Sequence, residues 1–371
     1  MAKRRRFIRI LGAGSVSVPA ALTGLLLLLP ASARASAPAP SGLAARPAAR
    51  GSGELLYVAS AGGPVDVYRG GSSGRVAPVS SIPDPKVSGT VWDPWGLAFD
   101  PAGDLFVQSF ISDATTFVFP WGSTSPSRIF RVSGPDSRSI AVDPAGDEYV
   151  ATGESAAVVY MAAPGASGTA SDGYSVPPVR TITTAETGFE PWPSTLAADR
   201  SGDLVVAVLN SHANAVEVFA GGAGGSGTPV RFVTGPSTGL GTCTGFDTCD
   251  HLSLAVSPKT GDLFVAVSAS GGARIEQFAP DANGDAAPLR TITGSKTGLE
   301  GQVVTGLSVG PRRGDLYAMV KPGPFTGTGH VEVFAPNADG DAAPVRTFTD
   351  GSTGFDDALG IGAVSPPRKA P

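Results

Sequence analysis

Basic side chains are scarce in this chain beyond its N-terminus. Residues 1–35 hold six of the 27 Lys and Arg residues and none of the 32 Asp and Glu residues. The rest of the chain therefore has 27 − 6 = 21 basic and 32 acidic side chains, a net charge of 21 − 32 = −11. An acidic chain without basic runs repels polyanions, so we expect neither nucleic acid nor an anionic membrane surface as its partner.

Recognisable catalytic motifs are also missing. The sequence shows no serine nucleophile elbow and no glycine loop of the phosphate-binding type. The three histidines, His212, His251 and His330, do not have the paired spacing of a zinc motif. We therefore predict no catalytic residue. The question of enzymatic activity stays open at this stage, with a non-enzyme favoured.

The N-terminal segment is typical of an export signal. Five basic residues between Lys3 and Arg9 precede an apolar run from Ile10 to Leu29, and small-residue cleavage motifs follow over residues 31–37. Because no Cys follows the apolar run, we expect no lipid anchor there. We predict a cleaved signal peptide over residues 1–35 and a secreted, extracellular protein without membrane insertion after cleavage. An uncleaved membrane anchor is the alternative.

The run Arg4–Arg9 (RRRFIR) resembles the twin-arginine export pattern, in which two Arg precede a variable residue, an aromatic or apolar pair and a basic residue. The resemblance implies export by the twin-arginine route, and the general secretory route is the alternative. Residues 36–53 are mostly Ala, Pro, Ser and Gly. This composition predicts a disordered linker.

The remainder of the chain repeats a unit of roughly fifty residues that contains four short apolar runs separated by Gly, Pro, Asp and Ser. Each of the four classes of run has six members. The first class comprises GLAFD (96–100), SIAVD (139–143), TLAAD (195–199), SLAVS (253–257), GLSVG (306–310) and GIGAVS (360–365). Four strand-like runs per repeat are typical of propeller blades. We predict an all-β, six-bladed β-propeller of four-stranded antiparallel blades over residues 54–365, followed by a tail, 366–371.

The order of the runs predicts how this ring closes. The first repeat begins at Leu55 without a first run, and the chain ends with a first run at 360–365 that has no repeat of its own. We therefore expect the C-terminal strand to complete the N-terminal blade. This closure removes an open sheet edge, which would otherwise favour aggregation.

Acidic motifs lie between the runs. Turns such as 100–104 (DPAGD) separate first and second runs, and we interpret their Asp residues as turn formers rather than metal ligands. The segments 281–285 (DANGD) and 337–341 (NADGD) look like calcium loops but lack the terminal Glu and the spacing of an EF-hand. A hairpin turn is the favoured interpretation of both segments.

In the last three repeats, the third run carries a Glu and the fourth run carries an Arg. Adjacent outer strands would place these side chains opposite each other. We predict Glu–Arg pairs among Glu217, Glu276, Glu332, Arg231, Arg290 and Arg346. Exposed pairs of this kind contribute about 0.2–1 kcal/mol each, which is a structural role.

The repeats resemble the NHL-type propellers of bacterial exported proteins. The motifs that carry the resemblance are Thr-Gly-Leu or Thr-Gly-Phe before a blade (238–240, 297–299 and 353–355), the Asp-Pro-x-Gly-Asp turn, and Ala-Pro-Val-Arg-Thr (343–347). The resemblance covers residues 54–365 and implies the propeller fold. That family includes binding scaffolds, lyases and lactonases, so no single activity is implied. Blades 1 and 2 match poorly, and Asp stands where the family usually has Asn before the second strand.

In a propeller, the loops that enter the first strands share one face with the loops that join second and third strands, around the central channel. We call this face the mouth, and it is the default ligand site. The candidate ligand-binding residues at the mouth are Trp92, Asp93, Trp95, Asp136, Arg138, Glu190, Trp192, Asp250, His251, Asp356 and Asp357. They form either a cup that binds a cation, a sugar or a polar peptide, or polar loops whose Trp side chains cap the core between blades.

No metal site is predicted. The three histidines all map to the mouth, and one branch of the NHL-type family is a zinc lyase, but no spacing links them. Gluconolactonase-type propellers hold a channel calcium with Glu, Asn and Asp, and the mouth here has few Asn, so that ligand set does not carry over. We predict no cofactor, and calcium is the one cofactor that the mouth carboxylates leave open.

The only two cysteines, Cys243 and Cys249, flank the segment 244–248 in the longest loop between blades. In an exported chain, such a pair is expected to form a disulfide. The disulfide would hold the loop that carries Asp250 and His251 at the mouth, and so short a ring contributes about 2 kcal/mol. Two free, buried thiols are the alternative.

The sequence supports three hypotheses of function. The first is a secreted, non-catalytic propeller, expected to be a monomer, that binds a protein, a sugar or a small polar ligand at its mouth. The second is a metal-dependent hydrolase or lyase that uses the mouth carboxylates and histidines. The third is a purely structural role in the cell envelope. A complete scaffold without a catalytic set favours the first hypothesis.

Overall fold

The structure of the chain is a computed structural model. It describes residues 53–110, 114–132, 139–152, 158–183, 192–209, 213–222, 228–241, 249–269, 271–323, 327–351, 355–356 and 358–367. All of these residues belong to the unit that spans Ala44–Pro371. They form short strands and two single turns of 3-10 helix, Ala170–Asp172 and Pro236–Thr238, and none of them is in an α-helix. Within these ranges, no helix has the length and apolar character that a membrane span needs.

The strands are short and are bounded by turns rich in Gly, Pro and Asp. The first thirteen are β1 (Leu55–Ser60), β2 (Val65–Arg69), β3 (Gly74–Val76), β4 (Ser80–Ile82), β5 (Pro94–Phe99), β6 (Leu105–Ser109), β7 (Thr115–Phe119), β8 (Arg128–Val132), β9 (Ser139–Val142), β10 (Glu148–Thr152), β11 (Val158–Ala162), β12 (Ser175–Val176) and β13 (Arg180–Thr183). The others are β14 (Trp192–Ala198), β15 (Leu204–Leu209), β16 (Ala215–Phe219), β17 (Arg231–Val233), β18 (Cys249–Val256), β19 (Leu263–Ala269), β20 (Gly272–Phe278), β21 (Arg290–Ile292), β22 (Val303–Val309), β23 (Leu316–Lys321), β24 (His330–Phe334), β25 (Arg346–Asp350) and β26 (Ala358–Val364). Branched and aromatic side chains favour these strands because they suit a pleated, buried surface.

The strands form six sheets, which are the six blades. From the first strand outward, blade 1 contains β26, β1, β2 and β4, blade 2 contains β5 to β8, and blade 3 contains β9, β10, β11 and β13. Blade 4 contains β14 to β17, blade 5 contains β18 to β21, and blade 6 contains β22 to β25. The prediction of an all-β, six-bladed propeller is confirmed. Two blades have one strand more than predicted, because β12 and β3 add in parallel to the outer strands of blades 2 and 6.

The ring closes through the C-terminal strand, as the order of the runs predicts. β26 pairs antiparallel with β1, from Leu55 opposite Val364 to Ala59 opposite Gly360. The first strands also contact one another in a complete circle, from β26 through β5, β9, β14, β18 and β22 back to β26. Blade 1 therefore has its full set of four strands, and the N-terminal strand β1 does not present an open edge.

The hydrophobic core consists of six clusters, one at each junction between neighbouring blades. At the junction of blades 4 and 5, for example, Val216 and Val218 pack with Leu252 and Leu254. Successive side chains of a strand point to opposite faces, and each blade has a neighbour on both faces, so both sets of side chains are buried. This arrangement explains the nearly continuous apolar runs of the second strands, such as LFVAV at 263–267.

The Asp-Pro-x-Gly-Asp turns lie between first and second strands. The amide of Asp104 donates to Asp100 Oδ1 at 2.8 Å, and the amide of Asp147 donates to Asp143 Oδ1 at 2.9 Å. Gly103 has a φ of 87°, a conformation that glycine adopts without strain. The first Asp of each turn thus accepts backbone hydrogen bonds, and the interpretation as turn chemistry is confirmed.

The predicted Glu–Arg pairs are wrong. Glu332 lies opposite Thr347, and Arg346 lies one residue earlier, opposite Val333. The same offset separates Glu217 from Arg231 and Glu276 from Arg290. Because side chains alternate along a strand, a shift of one residue places Glu and Arg on opposite faces of the blade. The Glu side chains are buried, and in blades 5 and 6 they accept hydrogen bonds from Thr291 and Thr347.

The arginines contact other groups. Arg346 Nη2 lies 2.8 Å from Asp315 Oδ2 within blade 6. Arg290 donates to the carbonyl of Pro336 at 2.8 Å, in the neighbouring blade. The arginine of the Pro-Val-Arg motif therefore stabilises turns and blade junctions rather than the partner strand.

The two calcium-like segments lie in the connections from third to fourth strands, as the hairpin interpretation requires. Their polar side chains bind the preceding blade. Asn283 Oδ1 accepts the amide of Phe232 at 2.9 Å, and Asp285 Oδ1 accepts the amide of Ser237 at 2.6 Å. In the other copy, Asp339 and Asp341 accept the amides of Thr291 and Lys296. These side chains have protein partners that join one blade to the next.

Candidate functional site

Five of the six first strands contain a β-bulge near their mouth end. The extra residues are Leu359, Trp95, Ser194, Asp250 and Thr305. A bulge bends its strand and changes the direction of a side chain, and bulges are frequent at the ends of closed sheets and beside binding sites. We refer to these five positions as the rim, because they surround the entrance of the channel.

Trp92 closes the junction of blades 1 and 2. Its side chain is buried, and Nε1 donates to the carbonyl of Gly63 at 2.7 Å. The indole packs edge-on against Phe117, with ring centroids 5.3 Å apart. Of the two sequence-based interpretations of the mouth tryptophans, Trp92 fits the one in which the indole caps the core between blades.

Asp93 fixes the loop that enters blade 2. It is 4% exposed, and its Oδ1 accepts the amide of Gly62 at 2.7 Å. Its Oδ2 accepts Nε1 of Trp95 at 3.0 Å, and its own amide donates to Ser109 Oγ at 2.8 Å. Both carboxylate oxygens are thus occupied by protein donors, so Asp93 orients the Trp95 indole.

Trp95 is the rim residue of blade 2. Its indole stacks on Phe110, with ring centroids 4.2 Å apart and an interplanar angle of 32°. Both side chains are partly exposed. We refer to this pair as the aromatic platform. Large, partly exposed rings whose direction is set by a buried carboxylate provide a preorganised stacking surface.

The closing strand holds the backbone of Trp95 in place. A Cβ atom on Gly360 would lie 2.0 Å from the carbonyl oxygen of Trp95. Only glycine permits so close an approach of two first strands. The position of the aromatic platform therefore depends on the C-terminal strand that completes blade 1.

Asp356 occupies the mouth on the connection into β26. Its Oδ1 accepts Oγ1 of Thr328 at 2.7 Å. Its carbonyl accepts Nζ of Lys321, a fully buried lysine, at 2.6 Å. A buried ammonium group requires such partners because its removal from water is costly. Asp356 is exposed and is held at the mouth by these two contacts.

His330 Nε2 lies 3.1 Å from Oε1 of Glu332 in the third strand of blade 6. Among the residues that the structure describes, no three His, Cys, Asp or Glu side chains meet as a metal-binding group. His212 lies outside those residues, and the side chain of His251 is not described. The zinc and calcium hypotheses therefore stay untested.

Several candidate site residues cannot be located. Those outside the described residues are Asp136, Arg138, Glu190, Asp357 and Cys243. The backbone of Trp192 begins β14, and the backbones of Cys249, Asp250 and His251 begin β18, but their side chains are not described. By register, Asp250 is the rim residue of blade 5. The Cys243–Cys249 disulfide remains a prediction.

The sequence-based interpretation missed three rim positions and the partner of Trp95. The missed rim residues are Ser194, Thr305 and Leu359, and Thr305 is buried with no hydrogen-bond partner for its Oγ1 among the described residues. Each of these three residues directly precedes the first run of its repeat, as Trp95 does. An alignment of the repeats with one another would therefore have revealed the shared position. Phe110 follows a second run and carries no comparable signal.

A buried carboxyl group with a strongly raised pKa lies away from the mouth. Glu148 begins β10, a second strand, and therefore lies at the opposite face. Burial raises the pKa of Glu148 to about 7, against the lowering effect of the Arg128 guanidinium. This perturbed group marks a blade junction and not the candidate ligand site.

Comparisons with known proteins support the propeller fold and do not show a function. No protein-family model matches the chain, and no curated protein matches it. Among solved structures, a Bacteroides caccae protein described as being of unknown function aligns with a TM-score of 0.56 at 14% identity, covering 84% of this chain and 99% of its own. A chain of a nidogen/laminin complex aligns with a TM-score of 0.54 at 16% identity, covering 85% and 99%.

At these identities, the similarity establishes the architecture alone. The protein is a six-bladed β-propeller in which the C-terminal strand completes the first blade. The NHL-type resemblance of the repeats, the signal peptide and the disulfide are not established by these matches. What the mouth binds must be argued from its own residues.

Proposed function

We propose that the protein is an exported, non-catalytic binding propeller, and that its ligand is a carbohydrate that stacks on the aromatic platform. The observation that carries the proposal is the Trp95–Phe110 pair at the rim, oriented by Asp93. The flat face of an indole suits the apolar face of a sugar ring, while its N–H is already satisfied. The ligand would therefore gain stacking area without leaving a buried donor unpaired.

Asp93 and Asp356 are the mouth carboxylates whose side chains the structure describes, and their contacts favour binding over catalysis. Asp93 uses both oxygens to hold the protein, and Asp356 Oδ1 accepts the Thr328 hydroxyl. A general acid or base needs a carboxyl that is available to the substrate.

The test is a binding titration against a panel of oligosaccharides, monitored by calorimetry. For a sugar that the native protein binds, Trp95→Ala is expected to weaken affinity by about ten-fold or more, equivalent to about 1.4 kcal/mol. Trp95→Phe keeps a ring and is expected to lose less. Trp121→Phe, in a connection on the opposite face, is the matched control and is expected to leave affinity unchanged.

Absence of binding to any sugar in the panel, or equal affinity for native protein and Trp95→Ala, would contradict the proposal. The competing hypothesis of a metal-dependent hydrolase or lyase has its own readout. It predicts a stoichiometric metal in the purified protein, by elemental analysis, and a lower melting temperature in EDTA.

A further inference from the structure

Backbone strain in the described part of the chain is concentrated at one corner of blade 2. Three of the described residues other than glycine have a positive φ, namely Lys86 (54°), Ala114 (44°) and Tyr174 (63°). Lys86 lies on the connection into β5, Ala114 directly precedes β7, and Tyr174 directly precedes β12. Strained residues persist only where surrounding contacts hold them, and they are frequent at binding sites. The strain therefore marks this corner as a candidate binding region.

Arg131, in the fourth strand of blade 2, joins the three connections. Its Nη2 donates to the carbonyl of Gly89 at 2.6 Å, and its Nε donates to Oγ1 of Thr115 at 2.7 Å. Its amide donates to the carbonyl of Tyr174 at 2.8 Å, and its guanidinium carbon lies 5.9 Å from the centre of the Tyr174 ring. The Tyr174 hydroxyl donates to the carbonyl of Ser88 at 3.3 Å. The ring is thus held through its backbone, one face and its hydroxyl.

Tyr174 belongs to an unusually long connection from a third to a fourth strand. In blade 3 this connection spans residues 163–179, whereas its counterpart in blade 5 spans residues 279–289. The tip is closed by local hydrogen bonds, because the amides of Asp172 and Tyr174 both donate to the carbonyl of Thr169, and the amide of Thr169 donates to Asp172 Oδ1. The additional residues therefore bring one partly exposed aromatic ring to blade 2 in a fixed position.

Tyr174 and the aromatic platform stand at the two ends of one row of residues across the mouth end of blade 2. By register, from β5 to β12, the row comprises Pro94, Ser109, Thr115, Arg131 and Ser175. Trp95 follows the first residue of the row, and Tyr174 precedes the last. Neighbouring strands lie about 4.8 Å apart, so the four intervals of this five-stranded sheet amount to about 19 Å. This distance exceeds one sugar ring and suits a short oligosaccharide.

The two aromatic positions suit the same kind of ligand group. A phenol ring, like an indole, presents a flat apolar face to the apolar face of a sugar ring. The Tyr174 hydroxyl already donates to the Ser88 carbonyl, as the Trp95 indole donates to Asp93, so a stacked ligand leaves neither donor unpaired. Because the Tyr174 ring is held in place before the ligand arrives, little conformational entropy is lost on binding.

We propose that Tyr174 is a second stacking subsite, and that the ligand is an oligosaccharide long enough to reach from the aromatic platform to Tyr174. This inference rests on the proposed carbohydrate function and adds to it the length and the direction of the ligand, outward from the channel along blade 2. The platform binds one end of the chain, and Tyr174 selects longer chains over shorter ones, because a second contact on the same ligand strengthens binding.

The experiment measures affinity by calorimetry for a series from disaccharide to hexasaccharide of a sugar that the native protein binds. Native affinity is expected to rise by about five-fold or more once the chain spans both subsites, the effect of one further stacked ring. Tyr174→Gly is expected to abolish this rise. Glycine adopts a φ of 63° without strain, so this variant should remain folded, which chemical denaturation checks. Tyr174→Phe keeps the ring and should keep the rise, as should the control Trp121→Phe.

Trp95→Ala distinguishes failure of this inference from failure of the proposed function, because it is expected to weaken binding at every chain length. If Trp95→Ala weakens binding but native affinity does not rise with chain length, or Tyr174→Gly retains the rise, the Tyr174 subsite is wrong and the carbohydrate function stands. Equal losses for disaccharide and hexasaccharide in Tyr174→Gly would show that Tyr174 only supports the platform, which also overturns the subsite. If no oligosaccharide of the series binds, both proposals are wrong.

Discussion

Arg128 and Glu148 form an ion pair across the junction of blades 2 and 3, with Nη2 of Arg128 2.8 Å from Oε1 of Glu148. Glu148 is fully buried, and no described residue donates a hydrogen bond to its Oε2. Arg128 also donates to the carbonyl of Ala166 and lies over the ring of Phe106. A buried carboxyl group thus occupies a position where other second strands have leucine, such as Leu263.

This pair makes stability depend on pH. Burial raises the pKa of folded Glu148 from 4.5 to about 7, with Asp100 adding to the effect and Arg128 opposing it. The folded state therefore binds more protons than the unfolded state between these values, and the free energy of unfolding should fall as the pH rises from about 4.5 to about 7. The fall is at most about 3 kcal/mol. Chemical denaturation at several pH values measures it.

Glu148→Gln is the control, because it keeps an acceptor for Arg128 and removes the titration. The pH dependence of the native protein should exceed that of the variant over this window. Parallel stability profiles for the two proteins would contradict the pKa assignment of Glu148.

Gly298 lies over the buried Glu332 in the connection between blades 5 and 6. It has a φ of 76°, and a Cβ atom there would lie 2.7 Å from Oε1 of Glu332. That carboxylate accepts the Thr347 hydroxyl and lies 3.1 Å from His330 Nε2, so it cannot move without losing contacts. We expect Gly298→Ala to lower the free energy of unfolding by about 2–3 kcal/mol.

The matched control is Gly301→Ala in the same connection. Gly301 has a φ of 65°, but nothing lies within 4 Å of its Cβ position. Its substitution should cost only the backbone strain, about 1 kcal/mol. Denaturant midpoints of the two variants separate the steric effect from the strain, and equal losses would show that the Thr-Gly-Leu motif serves only the turn.

Removal of β26 should prevent the ring from closing. A chain that ends at Asp356 leaves β1 as an open edge and exposes the cluster that contains Ile361. We expect aggregation or non-cooperative unfolding, measured by size-exclusion chromatography and thermal denaturation. A chain that ends at Pro367 keeps β26 and should remain folded. A stable monomer ending at Asp356 would show that three strands suffice for blade 1.

The Cys243–Cys249 disulfide is predicted from the sequence and can be tested directly. Alkylation of the unfolded protein without reductant should detect no free thiol by mass spectrometry. Cys249→Ser should lower the free energy of unfolding by about 2 kcal/mol, because the unfolded chain gains freedom. Reductant should lower the stability of the native protein by the same amount and leave Cys249→Ser unchanged. Two alkylated cysteines in the untreated protein would exclude the bond.

Much of the fold followed from the sequence because a propeller is a repeat. The six members of each class of run, and the first run left over at 360–365, were sufficient to predict the pairing of β26 with β1. The turn at 100–104 was predictable for a local reason, since Asp and Gly shape the backbone within five residues. Features determined by neighbours along the chain were thus accessible.

The candidate site was less accessible. Trp92 and Trp95 are three residues apart at the entrance to blade 2, yet the first is buried against Phe117 and the second lies at the rim. A bulge at Trp95 and the contact with Gly360 account for the difference, and both involve strands far apart in sequence. The wrong Glu–Arg pairs have a related cause, because a register shift of one residue reverses the face of every side chain.

By itself, the sequence determined the number of blades, the closure of the ring and the positions of the turns, since these depend on periodicity and local backbone preference. The tertiary structure alone decided which described side chains of the mouth are exposed and which partners the buried glutamates have. Those outcomes depend on strand register and on the distances between separate blades, and both are set by packing across the ring.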